Sequence, residues 1–105
     1  MYIHLVYYNQ EMNKEGNKMK IRYWVWDKIN TEADRYGRGV DANTDREWGT
    51  TVKETQDENG YVKVYPVEII KETEKAINVK LAATSYNKSR SATTWTAWIP
   101  KSQIA

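Results

Sequence analysis

The chain has no cysteine and no phenylalanine, a single histidine (His4), and only two prolines among its 105 residues. Without cysteine there is no disulfide, no thiolate metal site and no cysteine nucleophile, and a reducing compartment is permitted. One imidazole leaves little for a histidine-based metal site or proton relay. Long apolar runs are also missing, since nothing approaches the ~20 residues a membrane-spanning helix needs. Residues 2–8 are apolar but too short for an export signal and have no basic region before them. A cytoplasmic protein without membrane contact is expected, and no cofactor is indicated.

What is present is 40% hydrophobic and 29% charged residues, the balance of one globular domain rather than a disordered or fibrous chain. Five tryptophans and eight tyrosines replace phenylalanine entirely. Each carries an apolar body with a polar handle, which suits half-buried sheets and interfaces better than a dry core. Most should fill the core of a small β domain, and those left outside should form a binding face.

Residues 2–8 read as a first strand. Residues 20–27 alternate, with Ile21, Tyr23 and Val25 on one face and Arg22, Trp24 and Trp26 on the other, which predicts a second. A short helix is expected over 31–36, capped by Asn30 or Thr31 and stopped by Gly37 and Gly39. Strands are expected at 50–55 and 61–65, joined by a Gln-Asp-Glu-Asn-Gly loop. Beyond Pro66, strands at 67–71 (after a kink or bulge), 76–82 and 93–99 complete the pattern, with Pro100 ending the last. The fold class expected is mainly β: a small antiparallel barrel or strongly curved sheet of five or six strands with one short helix.

Residues 1–18 have a second reading. Lys14-Glu15-Gly16 can be encoded AAG GAG GGN, a purine-rich run like a ribosome-binding site, a few codons before Met19. The natural start would then be Met19 and the domain would comprise residues 19–105. Intact-mass analysis of native protein beginning at Met1 or Tyr2 would refute this.

Catalytic patterns are weak. Asp41-Ala-Asn43-Thr-Asp45 opens like a calcium loop, but Arg46 stands where glycine makes the sharp turn and Val52 where the bidentate glutamate belongs. Gly37-Arg38-Gly39 is too short for a phosphate cradle and reads as a turn. Glu68, Glu72 and Glu74 are interleaved with Lys71 and Lys75, as on a solvated face. His4, beside Leu5 and Val6, reads as a strand residue. No triad, metal cluster or phosphate loop stands out, so the protein is not expected to be an enzyme.

Charge is unevenly divided. Residues 19–60 hold seven basic and nine acidic side chains, and residues 61–105 hold seven and three. A polyanion would therefore dock on the C-terminal half. There the loop over 84–91 gathers Tyr86, Lys88, Arg90 and several hydroxyls, a mixture that contacts phosphate and stacks bases in single-strand binders. The same composition also suits an ordinary exposed hairpin loop. Trp95 and Trp98 have opposite strand parity, so at most one should lie in the core.

Residues 72–76 (Glu-Thr-Glu-Lys-Ala), then Val79 and Leu81, then residues 98–104 (Trp-Ile-Pro-Lys-Ser-Gln-Ile), carry a resemblance. They are similar to the C-terminal hairpin of small, largely uncharacterised phage and mobile-element proteins, over residues 67–104. The resemblance implies that the two runs pair as a β-hairpin. This chain departs from that pattern between residues 82 and 97, where a basic, Ser/Thr-rich stretch replaces a short turn.

The first expected function is a non-enzymatic nucleic-acid-binding accessory protein of a phage or mobile element, single strands being favoured. Lys80, Lys88, Arg90 and Lys101 would neutralise phosphates, and Tyr86 with Trp95 or Trp98 would stack on bases. The alternative is a protein-binding inhibitor of a host defence complex, as anti-CRISPR proteins are, with Trp24, Trp26, Asp41, Asp45 and Glu47 at its interface. A structural or assembly partner is the third.

Overall fold

The computed structural model describes residues 18–44, 46–87 and 90–105. The strand expected at 2–8, His4 and the alternative start all concern a segment outside the described residues or at its border. The elements run β1 (Met19–Arg22), α1 (Tyr23–Arg35), β2 (Arg38–Asp41), β3 (Tyr61–Val64), β4 (Glu68–Glu72), β5 (Ala76–Ser85) and β6 (Ala92–Pro100), with 3-10 turns at Lys53–Thr55 and Lys101–Gln103. Among the described residues the fold is mainly β, with six strands in two sheets and one α-helix.

β1 pairs antiparallel with β3, from Met19↔Val64 to Arg22↔Tyr61. The second sheet is organised by β5. On one side β6 follows it from Ala76↔Pro100 to Thr84↔Ala92. On the other, β4 pairs with its first half and β2 with its second half, end to end. Among the described residues these sheets do not close on themselves, so the expected barrel is not seen. The bulge expected after Pro66 lies between Ile69 and Lys71.

Alternation explains the sheet faces. Val79, Leu81 and Ile99 are buried, and their side chains meet Ile21, Val62 and Val64 from the small sheet and Val25, Trp26 and Ile29 from α1 in one core. The opposite face of the large sheet, with Lys80, Thr84, Thr94, Thr96 and Trp98, looks outward.

Two sequence expectations are corrected. Of residues 20–27 only 20–22 are strand, the end of β1; the chain turns helical at Tyr23. Val25, Ile29 and Ala33 recur every four residues, and with Trp26 they make the buried stripe of a thirteen-residue helix. The helix expected over 31–36 is therefore its last turns, and Asn30 and Thr31 lie inside it rather than at its cap. Gly37, at φ +78°, ends it as expected, its N–H donating to Asp34 O. Residues 50–55 are likewise not a strand. Thr51 N–H donates to Glu54 Oε1 at 2.8 Å and Glu54 N–H to Thr51 Oγ1 at 3.3 Å, a reciprocal capping box that winds a 3-10 turn instead.

The start of α1 is anchored by the turn before β3. Tyr23 N–H donates to Gly60 O at 2.8 Å, and the Arg22 guanidinium donates to Asn59 O at 2.7 Å while lying 4.5 Å from the Tyr61 ring centre. Asp57 Oδ1 accepts from Asn59 and Tyr61 N–H groups and so holds that turn closed. The C-terminus is tied down beside it: Ile104 bridges Ile21, and Ala105 N–H donates to Lys20 O.

Candidate nucleic-acid interface

The end of the large sheet where β2 begins brings together residues distant in sequence. Arg38 opposes Ser85 and Gly39 opposes Thr84, which places β2 beside the β5–β6 connection. Arg38 and Val40 share the helix-side face with Ala83, and Trp95 and Thr93 of β6 share it too. The Arg38 guanidinium carbon stands 5.9 Å from the Trp95 ring centre. Tyr36, largely exposed just past α1, tilts against the same indole at 5.9 Å between ring centres.

Tyr86 adjoins this cluster from the outward face. Its N–H donates to Gly37 O at 2.8 Å, and its half-exposed ring covers Gly39 so closely that a Cβ there would lie 3.1 Å from two ring carbons. Arg90 follows in the connection, with its N–H donating to both the backbone and side-chain oxygens of Asn87. It holds φ +47°, a left-handed conformation that side chains other than glycine adopt at a cost of about 1 kcal/mol or more. Arg38, Tyr36 and Trp95 thus meet on the helix-side face of this sheet end, with Tyr86 on its outward face and Arg90 in the adjoining connection; a cation beside an indole could hold a phosphate next to a stacked base.

The other expected contacts are not part of this corner. Lys80 pairs with Glu68 at 3.3 Å across β4 and β5, and Lys101 pairs with Glu72, so both cations already face a carboxylate. Trp98, 49% exposed, lies on the outward face at the opposite end of β6 from Ala92. As the parity predicts, Trp95 is the indole packed against the core and Trp98 is not. Lys88 lies outside the described residues.

The residues expected at a protein interface are also divided. Trp26 is 4% exposed and belongs to the core, which removes it from any interface; two residues apart on a helix means roughly 200° around its axis, so Trp24 and Trp26 point opposite ways. Trp24 is outside, at 54% exposure. Asp41 and Glu47 border one shallow depression of about 330 Å3 together with Trp48, whose side chain is wholly exposed. Asp45 lies outside the described residues. Asp41 Oδ1 accepts from Asn43 N–H at 2.8 Å, the solvated-turn geometry expected of this segment. Among the described residues no cluster of acidic and histidine side chains has metal-binding geometry.

A second concavity, about 290 Å3, runs between α1 and β6. Trp24, Lys28 and Glu32 form its helical wall, and Trp95, Ala97 and Trp98 the strand side.

Comparison with known proteins finds no matching family model, no matching curated protein and no matching solved structure. Among the described residues no helix is long and apolar enough to cross a membrane.

Sequence reasoning missed Tyr36, Arg38 and Trp48. Tyr36 ends the expected helix and Arg38 falls in a stretch that reads as a turn, and only the long-range pairing of β2 with β5 sets them beside Trp95. Trp48 had a local signal, standing next to Glu47 in a polar, turn-rich segment with no apolar neighbour to bury it.

Proposed function

We propose that the protein is a non-enzymatic accessory protein of a phage or mobile element, acting in the cytoplasm, that binds single-stranded nucleic acid at the Tyr36, Arg38, Tyr86, Arg90 and Trp95 corner. The observation that carries this reading is the convergence of Arg38 and Tyr36 on the Trp95 indole, a cation and a second ring beside a base-sized π surface. The left-handed Arg90 supports it, since a glycine or asparagine would suit that backbone better and only arginine supplies the charge. The phage origin rests on the resemblance of residues 67–104.

Fluorescence anisotropy of labelled single- and double-stranded oligonucleotides at two salt concentrations tests it. Single-strand binding that weakens with salt and is lost in the double variant Arg38→Ala, Arg90→Ala is the expected result. Absence of binding at low salt would overturn the reading.

A second reading draws on the wholly exposed Trp48 beside Asp41 and Glu47: an acidic, aromatic surface that engages a host defence protein in place of its nucleic acid. It predicts that a nucleic-acid-binding host complex loses its substrate when the chain is added, and that Trp48→Ala restores it.

A further inference from the structure

β6 forms the outer column of the large sheet. Its register with β5 is continuous over nine residues, and among the described residues no strand pairs with its other side. Hydrogen bonds just beyond each end fix which amides face outward. Ser85 N–H donates to Ser91 O at 2.9 Å, and Lys101 N–H donates to Lys75 O at 2.8 Å. In an antiparallel ladder this parity continues, so Thr93, Trp95, Ala97 and Ile99 bond to β5. Ala92, Thr94, Thr96 and Trp98 then direct their N–H and C=O groups away from the sheet. The same edge borders the groove below α1.

Proteins keep such edges from pairing with their own copies by means of charges, prolines or bulges. β6 reads Ala-Thr-Thr-Trp-Thr-Ala-Trp-Ile-Pro, with no charge, no bulge, and no proline before its last position. We propose that this edge is covered by a second copy of the chain, the two β6 strands pairing antiparallel about a two-fold axis at Thr96. Only registers that match outward residue to outward residue exchange hydrogen bonds, and the one centred on Thr96 engages all nine residues of both strands. It sets Thr96 opposite Thr96 and Thr94 opposite Trp98. It also sets Trp95 opposite Ala97, so that each indole meets a smaller side chain.

The helical wall is self-complementary in charge. Lys28 and Glu32 stand one turn apart on the groove side of α1. The two-fold axis turns α1 antiparallel to its copy and brings each Lys28 towards the other Glu32. Within one chain Glu32 meets Arg35 at 3.5 Å, an exposed pair too weak to hold it. Tyr36 and Arg38 do not line this groove, whereas Trp95 is common to it and to the proposed nucleic-acid corner.

Sedimentation equilibrium with amide hydrogen exchange tests the proposal. The expected result is a particle of twice 12.3 kDa at micromolar concentration, with the outward amides of Thr94, Thr96 and Trp98 protected as well as those facing β5. Thr96→Lys, on the exposed face, sets two like charges against each other at the axis and should raise the dimer dissociation constant roughly tenfold or more. Thr84→Lys, on the same face but on β5, should leave the dimer intact. A 12.3 kDa monomer at all concentrations overturns the proposal, as does a dimer indifferent to Thr96→Lys or one whose outward amides exchange freely. A monomer with those amides protected would equally overturn it.

Discussion

Arg38 faces Trp95 across the sheet end although fifty-six positions separate them, and β5, lying between, holds the two strands that carry them. Replacing Arg38 with alanine should weaken single-strand binding by about 1–2 kcal/mol and lower the salt slope by about 0.7. Arg38→Lys should keep most of the salt slope yet lose affinity, because an ammonium lacks the planar stacking surface. Anisotropy titrations over a salt series separate these effects.

Gly39 has an ordinary backbone conformation, so alanine there is opposed by Tyr86 rather than by strain. Gly39→Ala should push the Tyr86 ring off the strand at a cost below about 1 kcal/mol, since an exposed ring can swing away. The ring resonances of Tyr86 should shift while the melting temperature barely moves. Single-strand affinity should fall if the ring is a stacking platform, which the same titration reads.

Trp24 and Trp26 separate surface from core within one turn of α1. Trp26→Ala should destabilise the fold by about 3–5 kcal/mol in urea unfolding. Trp24→Ala should cost about 0.5 kcal/mol or less in the monomer.

Two backbone N–H groups and Lys20 hold the Asp57 carboxyl below its usual range, with the Tyr61 N–H the largest influence. The sign follows: a depressed folded value adds stability above the unfolded value of about 3.8, and this is lost as pH falls through the lower folded value. Asp57→Asn should therefore lower the melting temperature at neutral pH, and the gap from the parent should narrow in acid below pH 3.8. Melting curves across pH 2–7 measure it.

Much of the C-terminal half was legible because its strands alternate cleanly and are separated by turn residues; β3, β5 and β6 fall where the pattern puts them. Residues 20–27 misled because alternation over so few positions also fits a helix, and the four-residue spacing through Ile29 and Ala33 decided between them. Thr51 and Glu54 carry a capping signature in plain sequence, but the Thr- and Val-rich composition of 50–55 also suits a strand. β2 had no local signal at all. Arg38-Gly39-Val40-Asp41 becomes a strand only because β5 offers it hydrogen-bonding partners some forty-five residues away, and with it went Arg38. Loop composition singles out Tyr86 and Arg90, and strand parity Trp95 or Trp98; that Lys80 and Lys101 face carboxylates depends on register.

The dependence of every strand in the large sheet on β5 has a kinetic consequence. β4, β5 and β6 are joined by short connections and close few residues of loop, whereas β2 pairs with β5 across more than forty residues. The lower cost of closing short loops favours early formation of the meander and late docking of β2, so substitutions in β5 should slow folding while those in β2 chiefly hasten unfolding, as a chevron analysis would show. Arg38 meets Trp95 at that last step. If this corner binds nucleic acid as proposed, that capacity arises with the final strand, and a chain that has not yet docked β2 presents no assembled surface to a polyanion.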